Sequence, residues 1–407
     1  FEFTRRRYGF SAGMIAALLL VLAPLIQRHT SMLMTEIPIA LFSFSALWFL
    51  GRYFEANRTR DSVLFGIFAS LAILTKGSGM FLALVPGLSI LLTRNFKVLT
   101  RLNFWYPAVI VSVLCGPWTF AFRKIARAGW MEDSPTMRFT SKAVQFYPSE
   151  LLWSVGIALS ALAVVGIVGE FKSGKQDQNR LSRTAVLASA IVSLLIFHGI
   201  VPVGLEDRHL IPILPIVIYF AVAGAQILGS ILARRTRAPE ATVLMAAAAV
   251  FLVLTFEIPV KGYSGFREPA LMLLDKAPDT KTKFLVSSDA PGEGMFIAEV
   301  AMHEKRPGHI VQRTSKALSS STWSGSGYSA KFQDEQAVVD FINAEDYRYI
   351  IVDKSIPEFR LRPHHTLLNK TVEQFPDRFT LLQEYSIQRK GITYTNAAAV
   401  YEFMKTE

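Results

Sequence analysis

Residues 8–27, 104–122, 151–169, 184–205 and 210–233 contain no Asp, Glu, Lys or Arg. Each is about as long as the 20 residues that an α-helix needs to cross the roughly 30 Å hydrocarbon core of a bilayer. Residues 32–54, with Glu36 near the start, and the shorter 241–256 read the same way. The stretch 62–93 is too long for one ordinary span and is interrupted by Lys76-Gly77-Ser78-Gly79. Glycine weakens a helix where packing does not demand it. The stretch therefore reads as two short spans with Lys76 at the turn, against the rival of one steeply tilted helix. About nine spans result.

These runs stop before residue 257. The whole chain is 51% hydrophobic and 18% charged, against roughly 25% charged in a soluble domain. That excludes a disordered chain and a wholly soluble protein. A single cysteine, Cys115, excludes an intrachain disulfide and a cysteine metal cluster. The expected architecture is a polytopic α-helical membrane module, 1–256, followed by a soluble extracytoplasmic α/β domain, 257–407.

The net charge of +11 does not call for nucleic acid, because short cytoplasmic loops of membrane proteins collect Lys and Arg. With the N-terminus cytoplasmic, the loops on that side carry Arg5–Arg7, then Arg52, Arg58 and Arg60, then Arg94, Lys97 and Arg101, then Lys172, Lys175, Arg180 and Arg183, then Arg234, Arg235 and Arg237. The short turns on the other face carry only Arg28, Lys76 and Arg208. The loop 123–150 is mixed, with Arg127 among its cations and Glu132 and Asp133 among its carboxylates. An odd number of spans puts 257–407 outside, which in a bacterium is the periplasm.

The outer turns hold the residues of interest. They read Gln27-Arg28-His29-Thr30-Ser31, then Thr75-Lys76-Gly77, then Glu206-Asp207-Arg208-His209. Ionisable groups at membrane depth are costly and commonly line a cavity. Arg28, Lys76 and Arg208 at one level have the chemistry to hold a phosphate at the lipid boundary. Each also has a plainer reading. Arg28 and Lys76 can snorkel toward headgroups, and Arg208 has Glu206 and Asp207 beside it. Glu36 can pair with Arg28, or orient a cation or a sugar hydroxyl, while His29 and His209 can donate to a phosphate or hydroxyl. No metal-ligand spacing appears. His198, inside a span, reads as a packed or pore-lining side chain. Pro117, at the outer end of 104–122, is expected to break its helix. Trp130, Phe139, Phe146 and Tyr147 suggest a loop that lies on the surface or covers a groove.

In 257–407, strands are expected at 283–288, 309–313, 347–353, 379–387 and 397–403, with helices at 293–304 and 333–344. Their alternation suggests a small α/β sandwich. The Ser/Gly-rich run Ser319–Gly327, with Trp323, reads as a loop, or as an acceptor contact.

Several of these segments recur, in order, in a known group. They are Arg6-Arg7-Tyr8-Gly9-Phe10, Leu33-Met34-Thr35-Glu36-Ile37-Pro38, Leu74-Thr75-Lys76-Gly77-Ser78-Gly79, Gly116-Pro117-Trp118 and Arg208-His209-Leu210-Ile211-Pro212-Ile213-Leu214-Pro215. Over most of 1–235 the chain resembles bacterial glycosyltransferase family 39, which includes protein O-mannosyltransferases and lipid A aminoarabinose transferases. The resemblance implies a GT-C membrane fold and inverting transfer of a monosaccharide from a polyprenyl-phosphate donor to a lipid, glycan or protein acceptor. Transfer would occur on the outer face of a bacterial inner membrane. It implies that Arg208 and Lys76 meet the donor phosphate, and that the catalytic aspartate lies upstream of Phe1, so no catalytic residue is assigned. No cofactor is expected, and dependence on a divalent metal is left open. The rivals are a transporter or flippase of a lipid-linked sugar, and a non-catalytic scaffold whose outer domain binds a glycan.

Overall fold

The structure is a computed structural model. It describes residues 1–30, 34–124, 134–174, 177–236, 241–255, 263–305, 308–321, 327–389 and 391–405. Ser31, Leu33, Arg127, Trp130, Glu132, Asp133, Lys175, Arg237, Trp323 and the boundary at 256/257 lie outside the described residues. The chain divides into two compact units, Phe1–Glu257 and Ile258–Glu407.

Among the described residues of the first unit, five helices have the length and apolar composition to cross a membrane: Glu36–Ala56, Leu102–Ala121, Ile157–Gly174, Gln178–Ile200 and Asp207–Thr236. A bent pair, Phe10–Leu22 and Pro24–Thr30, makes a sixth if counted as one span. Thr59–Thr75 has 17 residues, and Gly77–Thr93 and Thr242–Thr255 are also short. As expected from the Gly-Ser-Gly run, helix Thr59–Thr75 stops before Lys76, and a 3-10 turn, Gly77–Ala83, leads into Val85–Thr93.

Three expected boundaries change. The run 8–27 is not one helix, because it bends by 60° where Ala23 turns extended ahead of Pro24. The run 151–169 is split at Gly156, whose φ of 81° suits glycine. Helix Met137–Val155 precedes the split and Ile157–Gly174 follows it. Pro117 does not break its helix, which continues to Ala121. A proline is tolerated in a membrane helix where neighbouring groups satisfy the freed backbone.

Asp207–Thr236 is the centre of the bundle, with 83% of its apolar window buried in protein, against 6% for Leu102–Ala121. Its close neighbour is Ile157–Gly174. Gly166 and Gly224 meet there so tightly that a Cβ on Gly166 would land on the Phe220 carbonyl oxygen, and one on Gly224 on that of Leu162. In lipid, where no hydrophobic drive joins helices, such backbone contact carries the packing.

One end of the bundle is tied by ion pairs. Arg183 binds Glu55 at 2.6 Å and Arg52 binds Asp61 at 3.3 Å. Arg180 donates to both oxygens of the buried Glu170, at 2.9 and 2.5 Å, and the Tyr8 hydroxyl donates to the same carboxylate.

The second unit is an α/β domain. Its strands are β1 Tyr263–Ser264, β2 Lys283–Ser287, β3 Ile310–Arg313, β4 Ser319–Ser320, β5 Ser329–Ala330, β6 Tyr347–Asp353, β7 Phe379–Arg389 and β8 Ile392–Phe403. Six form one mixed sheet in the order β1-β7-β8-β6-β2-β3. β2 runs parallel to β3 and β6, and β7–β8 is an antiparallel hairpin. Strand periodicity sends alternate residues to opposite faces. Leu285, Ile350 and Val352 pack with Val338, Ile342 and Leu368 on one face. Phe284, Val286 and Ile351 pack with Ala270, Leu273, Phe296 and Val300 on the other. Helices Arg267–Lys276 and Pro363–Gln374, absent from the sequence expectations, supply much of both layers.

At the carboxyl ends of β2 and β6, Arg389 bridges two buried acids, Asp289 at 3.0 Å and Asp353 at 2.6 Å. Burial works to raise the Asp289 carboxyl, but Arg389 and Arg360 hold it below the usual range. Nearby, burial and then His365 push His364 down from 6.5 to about 3.

Two predictions follow from this packing. Gly166→Val should cost about 2–3 kcal/mol, as overpacking does, and lower the melting temperature of the purified protein in detergent. His364 stays neutral in the folded domain, whereas in the unfolded chain it protonates near 6.5. Its contribution to stability is therefore complete above pH 6.5 and is lost as pH falls from there toward 3. Protection of the β2 and β6 amides, measured relative to their intrinsic exchange rates at each pH, should fall between pH 6.5 and 5, and His364→Gln should flatten that dependence relative to wild type.

Candidate functional site

At the end of the bundle opposite those ties, four chain segments meet. Glu36 opens helix Glu36–Ala56, and Lys76 follows the last residue of Thr59–Thr75. Arg28 lies in Pro24–Thr30, and Arg208 lies in the 3-10 turn Asp207–Ile213 that enters the central helix. Glycine makes the second of these placements possible. The turn after Lys76 passes so close to the preceding helix that a Cβ on Gly79 would lie 2.7 Å from the Ala72 carbonyl oxygen.

The Glu36 carboxylate is buried and joins two cations. Its Oε1 accepts from Lys76 Nζ at 2.6 Å and lies 3.5 Å from Arg208 Nε. Its Oε2 has no hydrogen-bond partner among the described residues. Arg208 also pairs with Glu206, and its Nη1 donates to Met34 Sδ at 3.7 Å. Arg28 Nη1 donates to Asp207 Oδ2 at 3.0 Å. The pairing differs from one of the sequence readings: Glu36 joins Lys76 and Arg208, while Arg28 binds Asp207.

A cleft of about 500 Å³ opens here, lined by Arg28, His29, Met34, Phe146, Glu150, Leu205, Glu206, Asp207 and Arg208. Among the described residues its wall holds two arginines and three carboxylates, so their charges do not sum to a cationic pocket. Lys76 and Glu36 are not among these lining residues but join them through Arg208.

The histidines divide. His29 lines the cleft, with Nδ1 2.9 Å from the Leu25 carbonyl oxygen. His209 is turned inward, with Nδ1 3.0 Å from the Tyr147 hydroxyl. It stacks on His198 at 4.5 Å and 7°. His198 has no hydrogen-bond partner on either nitrogen among the described residues. Among those residues no three His, Cys, Asp or Glu side chains group as metal ligands.

By sequence alone Tyr147 reads only as a loop aromatic. It belongs to helix Met137–Val155, whose Phe139, Ala143 and Tyr147 are buried, while Met137, Val144 and Trp153 are exposed. The spacing of four residues between buried positions is the signal of such a helix. Phe146 and Glu150 on it form part of the cleft wall. Arg28, Lys76 and Arg208 are thus gathered at one end of the bundle, with Glu36 among them.

Residues 1–120 match the family model described as dolichyl-phosphate-mannose-protein mannosyltransferase. Among solved structures, ArnT from Cupriavidus metallidurans, bound to undecaprenyl phosphate, aligns with a TM-score of 0.52 at 14% identity. The alignment covers 98% of this chain and 80% of that one. The oligosaccharyltransferase AglB from Archaeoglobus fulgidus, in complex with an inhibitory peptide and a dolichol-phosphate, gives a TM-score of 0.45 at 12% identity. There the alignment covers 86% of this chain and 56% of the archaeal protein. No curated protein sequence matches the chain. The family match falls on the N-terminal part of the stretch in which the sequence motifs carry the resemblance, and the fold is similar to that of ArnT.

The central ion pair gives a testable energetic statement. Lys76→Met leaves the Glu36 carboxylate buried with only its longer contact to Arg208, and should destabilise the protein by about 3 kcal/mol. Adding Glu36→Leu should recover most of that loss. Thermal unfolding of the two variants in lipid nanodiscs checks both.

Proposed function

We propose that this protein moves a monosaccharide from a polyprenyl-phosphate donor to a lipid, glycan or protein acceptor at the outer face of the membrane. The observation that carries the reading is the convergence of Arg28, Lys76 and Arg208, from three separate segments, at one end of the bundle beside an open cleft. The family match over 1–120 supports it, as does the likeness in fold to ArnT, which was solved with undecaprenyl phosphate. In this reading 1–256 is the transferase module. In the same reading the other end, whose loops are rich in Lys and Arg, is cytoplasmic, and 257–407 is extracytoplasmic, periplasmic in a bacterium.

The chemistry follows from the leaving group. Breaking the bond between the anomeric carbon and phosphate oxygen builds negative charge on phosphate and positive charge on the sugar ring. Cations beside the phosphate stabilise the transition state more than the ground state, and only such differential binding speeds the step. Arg208 offers a planar fork to two phosphate oxygens, and Lys76, held in place by Glu36, adds a compact point charge beside it. A carboxylate that takes the acceptor proton and directs attack from the opposite side would give inversion. The scheme calls for no cofactor.

The test uses the full-length protein in lipid, a panel of polyprenyl-phosphate sugars and membrane extract as acceptor. Release of polyprenyl phosphate and sugar transfer are measured together. Arg208→Ala should lower transfer by about 100-fold or more, the usual cost of one preorganised donor to a developing charge. Undiminished transfer by Arg208→Ala would remove the phosphate assignment while leaving the enzyme. No product from wild type with any donor would remove the transferase reading.

A further inference from the structure

The charges around the cleft pair off with unequal freedom to move. Lys76 is held by Glu36, Arg208 by Glu206 and Glu36, and Arg28 by Asp207. The Glu36 side chain is 3% exposed, but those of Glu206 and Asp207 are 43% and 31% exposed. A carboxylate at the foot of a buried helix cannot leave its cation without carrying a bare charge through protein. One on a half-exposed turn can rotate into water at small cost. With Glu150 also on the wall, an arriving phosphate meets a site whose arginines are already occupied.

We propose that Glu206 and Asp207 are exchangeable counter-ions for the lipid phosphate. They hold Arg208 and Arg28 when the cleft is empty, yield them to the donor, and take them back as polyprenyl phosphate departs. The proposal rests on the reading of the cleft as a phosphate site. A sugar phosphodiester carries one negative charge, whereas the monophosphate released from it carries about 1.5 to 2 near neutral pH. A purely cationic site would therefore retain the product more firmly than the donor. Carboxylates that return to the same guanidiniums offset that difference and let the product go. Glu36, fixed at the floor, keeps Lys76 oriented throughout.

The test is binding of undecaprenyl monophosphate to the full-length protein in nanodiscs, followed by steady-state transfer. Glu206→Gln and Asp207→Asn should each bind the monophosphate about threefold to fivefold tighter, the size expected of one partly exposed ion pair. The gain of Glu206→Gln should disappear in an Arg208→Ala background, because the exchange runs through that guanidinium. In turnover, Glu206→Gln should lower KM and kcat together, as slow product release does. Binding that is weaker or unchanged in both variants would overturn the proposal and make the two acids simple positioning groups. So would a gain that persists without Arg208. Failure of wild type to bind the monophosphate would overturn the phosphate reading itself, and this inference with it.

Discussion

The buried carboxylate of Glu36 ties the cleft end of the bundle together. It opens one helix, neutralises the lysine that ends the next, and reaches the arginine at the entry to the central helix. Three segments far apart in sequence are thereby fixed at one depth. A lone carboxylate there would be prohibitive, and so would two unpaired cations. Each group makes the others tolerable, and the cleft forms against this fixed point.

The two ends of the bundle use charge differently. At the far end, Arg180 grips both oxygens of Glu170 and the Tyr8 hydroxyl joins the same acid, a saturated arrangement that clamps the first helix to the bundle. At the cleft end, one oxygen of Glu36 lacks a hydrogen-bond partner among the described residues, and two acids sit half in water. Saturated pairs suit a joint, while unsaturated ones suit a place where partners are exchanged.

Much of this was legible in the sequence, and for physical reasons. Long uncharged runs have few alternatives to membrane helices, and the Gly-Ser-Gly run after Lys76 marked the break that the structure shows. In the second unit, β-rich runs such as Tyr347–Asp353 stood out because their apolar residues face two covered sides. Helix Pro363–Gln374 did not, since its buried face mixes His364, His365, Leu368 and Thr371, which look polar in a list of residues. The breaks at Gly156 and Ala23 were hidden, because a positive φ or a single extended residue leaves hydropathy unchanged. At the site, residue types and their common face could be read. The pairings could not, because Asp207 and Glu206 are adjacent yet serve different arginines.

The Gly166–Gly224 crossing has a consequence for life in different bilayers. Where two backbones touch, no side chain can rearrange to let one helix slide along the other. A change in hydrocarbon thickness is met by tilting, and tilting is cheapest for helices with few protein neighbours. Leu102–Ala121, which has the smallest buried share of the five long apolar helices described, is the element best placed to make that adjustment. The turn bearing Arg208, rooted directly in the pinned central helix, keeps its height in thin and thick membranes alike.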